Sequence, residues 1–416
     1  MYKKNTNRSQ SFGRRFGSGN SRSGQRNYGG CGGGRRYGSG KKSGQSQFSD
    51  VSKFVNKAVP VAETKPYEAV NSFTDFSIDE RLKKNVLNAG YKQPTAIQDQ
   101  AIPHVLNGRD VVGIANTGTG KTAAFVIPLL SKVMKDNRQN ILIVAPTREL
   151  AIQINQELIK FATGLRIFSV CVVGGMPIFR QIKDLRRSHN FVVGTPGRIK
   201  DLIDRGHLKL GNFRSVVLDE ADRMLDMGFI NDMRFLMSSM PEERHTLFFS
   251  ATLSNDIKRI IDEFLNNPIN VSVKTGDTAS SVDQDVVYAK HDTKFELLHG
   301  LLIKPEFDKV LIFGRTKIGV EKLSGLLSKQ GLKVGSIHGN KNHSQRQRAL
   351  KMFKDNIVNV LVATDVAARG LDIPNVSHVI NYELPSTYED YIHRIGRTGR
   401  GGKTGKALTF VEKRIR

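Results

Sequence analysis

At 416 residues with 38% hydrophobic content, the chain is long enough for two globular domains plus tails. No apolar run nears the ~20 residues of a membrane span, and the N-terminus has no apolar stretch that reads as a secretory signal. A net charge of +25 points to a polyanionic partner, nucleic acid being the commonest, and the only cysteines, Cys31 and Cys171, argue against a disulfide framework or a zinc site and for a reducing, cytoplasmic setting.

Residues 1–48 are mostly Gly, Ser, Asn, Gln and Arg, too poor in apolar surface to order themselves, and read as a disordered tail. The first fifty residues hold eleven Lys and Arg against Asp50 alone, a net +10. Arg14, Arg15, Arg35 and Arg36 beside Phe12, Phe16, Tyr28 and Tyr37 interleave cations with stacking rings, a composition suited to loose binding of single-stranded RNA. Residues 49–72 read as a linker.

From Phe73 the pattern turns globular, with a helix over IDERLKKNVLNAG and a second opening on Pro-Thr and bearing Gln98, whose amide suits an adenine edge. VVGIANTGTGKTAAFVIPLL (111–130) then reads as strand, glycine loop and helix. In the loop, Asn116, Thr117, Gly118, Thr119 and Gly120 keep the spacing of a phosphate cradle, Gly118 and Gly120 leaving N–H groups free for phosphate oxygens. Lys121 can reach the β- and γ-phosphates, and the Thr122 hydroxyl can take a position on Mg²⁺. Ala115 stands where the usual pattern has its first glycine.

Strands are predicted near 141–145, 168–173, 191–193, 215–218 and 246–249, each followed by polar residues and a helix, as in a parallel sheet covered on both faces. The fourth delivers Asp219, Glu220 and Asp222 at its carboxyl end. Asp219 suits the Mg²⁺ shell and Glu220 suits activating water. Residues 269–282 read as the link to a second domain, with strands near 309–313, 333–337, 358–362, 377–381 and 406–411. That half carries no second Gly-Lys-Thr loop but has TDVAARGLD and HRIGRTGR, rich in arginine.

These motifs, in this order over residues 73–411, resemble the DEAD-box family of ATP-dependent RNA helicases, in texture the small bacterial RhlE-type members. The resemblance implies an α/β fold of two tandem RecA-like domains, residues 73–268 and 283–416, that close on ATP, Mg²⁺ and RNA. It implies that Phe73 stacks on adenine, Thr95 and Gln98 read its edge, and Asp372 meets the ribose. Lys121, Asp219 and Glu220 would be catalytic together with the arginine fingers Arg397 and Arg400. Asp222, Ser250 and Thr252 would couple hydrolysis to closure, and His393 and Arg394 would hold the domain interface. The RNA backbone would cross Pro146, Thr147, Arg148, Gly174, Gly175, Thr195, Pro196, Gly197 and Arg198 on one side and Arg315, Gly339 and Thr364 on the other. A monomer acting on single strands and short duplexes, in ribosomal or mRNA-decay ribonucleoproteins and away from membranes, is the expected setting.

Two positions depart from the family pattern. His343, three residues before Arg346, stands where relatives have Gln, which puts an interdomain contact there in question; and the chain ends at Arg416, where relatives run on into a closing helix. Two other readings, an RNA clamp or annealing chaperone with a vestigial ATPase and a DNA translocase on the same fold, fit the charge but not the motif set.

Overall fold

The computed structural model describes residues 54–55, 67–116, 118–273, 282–368, 376–399 and 404–412. Thr117, Asp372, Arg400 and the basic tail expected over 1–48 lie outside them. Among the described residues, no helix is long and apolar enough to cross a membrane.

The first domain holds seven strands, β1 (Val111–Ala115), β2 (Asn140–Val144), β3 (Ser169–Val172), β4 (Phe191–Gly194), β5 (Phe213–Leu218), β6 (His245–Ser250) and β7 (Ile269–Val273). Around them run α1 (Glu80–Asn88), α2 (Ala96–Leu106), α3 (Lys121–Lys135), α4 (Arg148–Phe161), α5 (Ile178–Leu185), α6 (Pro196–Asp204), α7 (Ala221–Asp226), α8 (Ile230–Ser238) and α9 (Asn255–Phe264). Among the described residues the second domain has six strands, β8 (Val282–Ala289), β9 (Val310–Gly314), β10 (Val334–Ile337), β11 (Val360–Thr364), β12 (His378–Asn381) and β13 (Gly405–Glu412). Its helices are α10 (Lys294–Leu302), α11 (Lys317–Lys329), α12 (His343–Lys354), α13 (Asp365–Ala368) and α14 (Tyr388–Ile395).

Every strand pair is parallel. Side chains alternate across each sheet, so successive residues of one apolar strand feed two different cores. Val111 and Ala115 pack on one face of the first sheet, Val112 and Ile114 on the other. Leu311 and Phe313 against Val310 and Ile312 divide in the same way in the second.

The strand order β3-β4-β2-β5-β6-β1-β7 sorts the motifs. In a parallel sheet all carboxyl ends share one rim. The adjacent strands β5, β6 and β1 lead into the acidic run, Ser250–Thr252 and the glycine loop, whereas the adjacent β3, β4 and β2 lead into Gly174–Gly175, Thr195–Arg198 and Pro146–Arg148. One half of the rim is acidic and phosphate-cradling, the other rich in arginine. In the second sheet, order β10-β11-β9-β12-β13-β8, Gly339, Thr364 and Arg315 follow the adjacent β10, β11 and β9.

Three boundaries differ from expectation. Residues 269–273 are not linker: Ile269 to Val273 pair with Val111 to Ala115 as an edge strand. Residues 282–289 pair with β13 along eight positions, so the second domain begins on an edge strand whose polar residues hid it. Nor is 49–72 free of contacts where it is described. The Asp99 carboxylate accepts from Tyr67 Oη at 2.7 Å, Val70 N at 2.8 Å and Asn71 Nδ2 at 2.7 Å, and Phe54 is buried with Val282, Tyr391, Ile395 and Ala407.

Candidate functional site

The glycine loop is braced from below by the start of α2. Thr95 Oγ1 donates to Thr119 O at 2.7 Å, Gln98 Nε2 donates to Gly120 O at 3.0 Å, and Gln98 Oε1 accepts from Thr95 N at 3.0 Å. Thr119 Oγ1 closes the turn on Asn116 O at 2.8 Å. Gly118 and Gly120 have φ of 88° and 91°, and a Cβ at Gly120 would fall 2.2 Å from Gln98 Nε2, so only glycine fits there. Lys121 opens α3 buried, its Nζ donating to Ala115 O at 2.6 Å across the loop.

Two residues expected to meet the base, Gln98 and Phe73, are buried. Gln98 is 1% exposed and its amide is engaged with Thr95 N and Gly120 O, so Gln98 and Thr95 hold the loop. Phe73 is fully buried in the domain core, edge-on to Phe76 at 5.9 Å and Tyr91 at 6.1 Å, leaving no face of its ring open to stack on a base.

At the end of β5 the three carboxylates are all buried. Burial pushes the Asp219 carboxyl up to about 7; the Lys121 ammonium opposes the rise and the charges of Glu220 and Asp222 add to it. Glu220 is in the left-handed region, φ 50° and ψ 49°, with its carboxylate 3.3 Å from Arg223 Nη1 and its N–H on Asp219 Oδ1 at 3.0 Å. Asp222 points the other way, to β6. Its Oδ2 accepts from Ala251 N at 3.1 Å, Thr252 N at 3.2 Å and Thr252 Oγ1 at 3.3 Å, and Ser250 Oγ donates to Thr252 O at 2.8 Å. The acidic run and Ser250–Thr252 are thereby one hydrogen-bonded unit.

Among the described residues no cluster of three His, Cys, Asp or Glu forms a ready metal cage. A crowded, buried carboxylate that faces the Lys121 ammonium fits a cation that takes one protein carboxylate and completes its shell on phosphate and water, which is the habit of Mg²⁺.

On the arginine-rich half, the Arg148 guanidinium lies against Gly174 and Gly175, where a Cβ would come within 3.4 and 1.9 Å of it. Arg198 Nη1 donates to Met176 O at 3.2 Å, and Thr147 caps α4 by accepting from Leu150 N. The loops carrying Arg148, Gly174–Gly175 and Arg198 are therefore tied into one surface. Pro146, Thr147, Thr195 and Pro196 are buried; Gly175 and Gly197 are exposed. Arg315 and Gly339 are exposed on the second domain and Thr364 is buried there, with Arg315 N donating to the Glu383 carboxylate.

Arg394 is enclosed as well. Its guanidinium is 2% exposed, paired with both Asp365 oxygens at 2.5 and 2.7 Å, with Asn381 Oδ1 at 3.1 Å and Glu383 O at 2.6 Å, and lies over the Phe313 ring. It binds α14 to α13, β12 and β9 inside the second domain. His393 and the buried Arg397 line a small cavity with Asp365 and Asp390 beside it. Three residues after His343, a contact between the domains is present: Arg346 Nη2 of α12 lies 2.6 Å from Glu149 Oε1 of α4. Glu149, missed by sequence reasoning, stands directly after Arg148, its one signal being a charge that α4 buries.

A DEAD/DEAH box helicase family model matches residues 95–260, and a helicase conserved C-terminal domain model matches 293–402. The ATP-dependent RNA helicase CshA of Listeria monocytogenes is 46% identical over 347 residues, covering 83% of this chain and 67% of that one. The DEAD-box ATP-dependent RNA helicase CshA of Bacillus subtilis is 45% identical over 345 residues, covering 82% and 70%. These relatives are bacterial, and bear the CshA name where RhlE-type was expected. Among solved structures, S. cerevisiae Dbp5 bound to RNA and ADP BeF3 is 31% identical with a TM-score of 0.72, covering 82% of this chain and 90% of that one. Mss116p bound to ssRNA and AMP-PNP is 30% identical with a TM-score of 0.74, covering 84% and 76%.

Proposed function

Because the chain belongs to the DEAD-box family of ATP-dependent RNA helicases, its activity is ATP-driven RNA unwinding, and we propose a division of that work among its residues. Lys121 and the N–H groups of the glycine loop take the β- and γ-phosphates, the braces from Thr95 and Gln98 keeping the loop open for them. Thr122 and Asp219 hold Mg²⁺, which when bound neutralises charge on the phosphates. Glu220 orients and deprotonates the attacking water. Arg397 and Arg400 meet the developing phosphoryl charge from the second domain, fingers of this kind giving roughly 10³ to 10⁵ in rate, and Asp372 meets the ribose.

RNA lies along the arginine-rich half of the rim, across Arg148, Gly174–Gly175 and Thr195–Arg198, and on the second domain across Arg315, Gly339 and Thr364. Guanidinium, hydroxyl and backbone N–H groups there suit phosphate and sugar, which position a strand without reading its sequence; contacts to the 2′-OH would favour RNA over DNA. Such indifference to sequence suits varied ribosomal or mRNA-decay ribonucleoproteins. One chain supplies both halves of the site, so it works as a monomer, and its two cysteines suit the reducing cytoplasm.

The observation that carries the coupling is the Asp222 carboxylate bonded to Ala251 and Thr252. A shift of Glu220 or Asp219 at the phosphates is passed through it to β6. The test is Glu220→Gln: turnover falls by about 10² to 10⁴ while ATP and RNA still bind, and unwinding falls with it. Unwinding at the unaltered rate would overturn the assignment.

A further inference from the structure

The helix α5 follows directly from Gly174–Gly175. Its inner face is built as an amphipathic helix should be, with Gln181 and Leu185 buried and Ile178 and Ile182 half-buried. Its outer face breaks the rule at one place: Phe179 is 82% exposed, and Met176 and Pro177 beside it are exposed as well. Phe179, Lys183 and Arg186 fall at i, i+4 and i+7 on one stripe, flanked by the exposed Arg180 and Arg187. Asp184 is the sole acid in this run, 3.8 Å from Arg187.

A single exposed ring is ordinary on a protein surface. This one is set among four cations and is continuous with the proposed RNA face: Met176 O accepts from Arg198 Nη1 at 3.2 Å, Gln181 Nε2 donates to Val173 O at 3.0 Å, and Arg148 packs against Gly175 in the same turn. An aromatic ring among cations matches a single strand, which offers a base to stack and phosphates to pair; an apolar protein partner would give these cations no anion. We propose that the outer face of α5 binds single-stranded RNA beyond the strand held by Arg148, Gly175 and Arg198, with Phe179 stacking on an unpaired base and Arg180, Lys183, Arg186 and Arg187 holding phosphates. The inference rests on the RNA reading of that rim.

The probe is fluorescein-labelled oligouridylate, titrated by anisotropy against the full chain at several salt concentrations. Phe179→Ala weakens binding by about fivefold or more, the loss of one stacked base, and leaves the salt slope as it was; Phe179→Tyr, which keeps the ring, restores affinity. Lys183→Ala instead flattens the slope of log affinity against log salt by about 0.7. All are exposed positions, and an unchanged melting temperature separates binding from folding. Arg148→Ala is measured alongside. If it weakens binding while the α5 variants bind as the parent does, the α5 surface serves something other than RNA and the inference is overturned while the rim reading stands; if Arg148→Ala is also without effect, both fall together.

Discussion

His378 on β12 is packed at 4.1 Å on the Phe307 ring, with Nδ1 3.0 Å from Ser377 Oγ. Burial pulls its pKa down to about 4; the charge of Lys406 lowers it further and Glu306 opposes. The unfolded chain keeps an ordinary value near 6.5, so between pH 6.5 and 4 it binds more protons than the folded chain does. Stability of the second domain therefore falls as pH falls through that window. Melting temperatures from pH 7.5 to 4.5 should show the decline, and His378→Gln should flatten it; a variant that declines as steeply as the parent would place the cause elsewhere. The same scale accounts for Glu220. A non-glycine residue in the left-handed region costs on the order of 1 kcal/mol, and it persists here because its N–H is bonded to Asp219 Oδ1 and its carboxylate is paired with Arg223 of α7.

At the scale of elements, α14 depends on Arg394. With both Asp365 oxygens, Asn381 and Glu383 O satisfied by one buried guanidinium, Arg394→Ala leaves a half-buried carboxylate and two further acceptors without their partner and should cost about 1–3 kcal/mol in urea unfolding of the second domain. A loss below about 1 kcal/mol would mean that water repairs the gap. Elements with a strong local signature were legible in the sequence: apolar strands such as Ile141–Val144 and Val310–Phe313, the glycine loop, and Asp219–Asp222 at a strand end. Residues 269–273 and 282–289 were not, because edge strands mix polar and apolar residues and take their identity from β1 and β13. Phe73, Gln98 and Arg394 were placed by motif, but what a side chain touches is decided by tertiary packing. A fully buried ring, an amide taken by the loop and a guanidinium enclosed in one domain leave no local trace.

Over the whole molecule, Glu149 and Arg346 join α4 to α12, both side chains nearly buried, beside the Arg148 that faces Gly175. The pair therefore joins the domains next to the proposed RNA face. Arg346→Glu should weaken RNA stimulation of the ATPase, and Glu149→Arg placed with it should restore part of the loss, a coupling of about 0.5–3 kcal/mol by double-mutant cycle; strictly additive effects would remove the pair from the account. The central claim is that hydrolysis requires residues from both domains, brought together when RNA holds them closed. Steady-state ATP hydrolysis by the intact chain, with and without single-stranded RNA, tests it most directly. Slow turnover that rises strongly when RNA is added is the predicted result, and the full rate in the absence of RNA would contradict it.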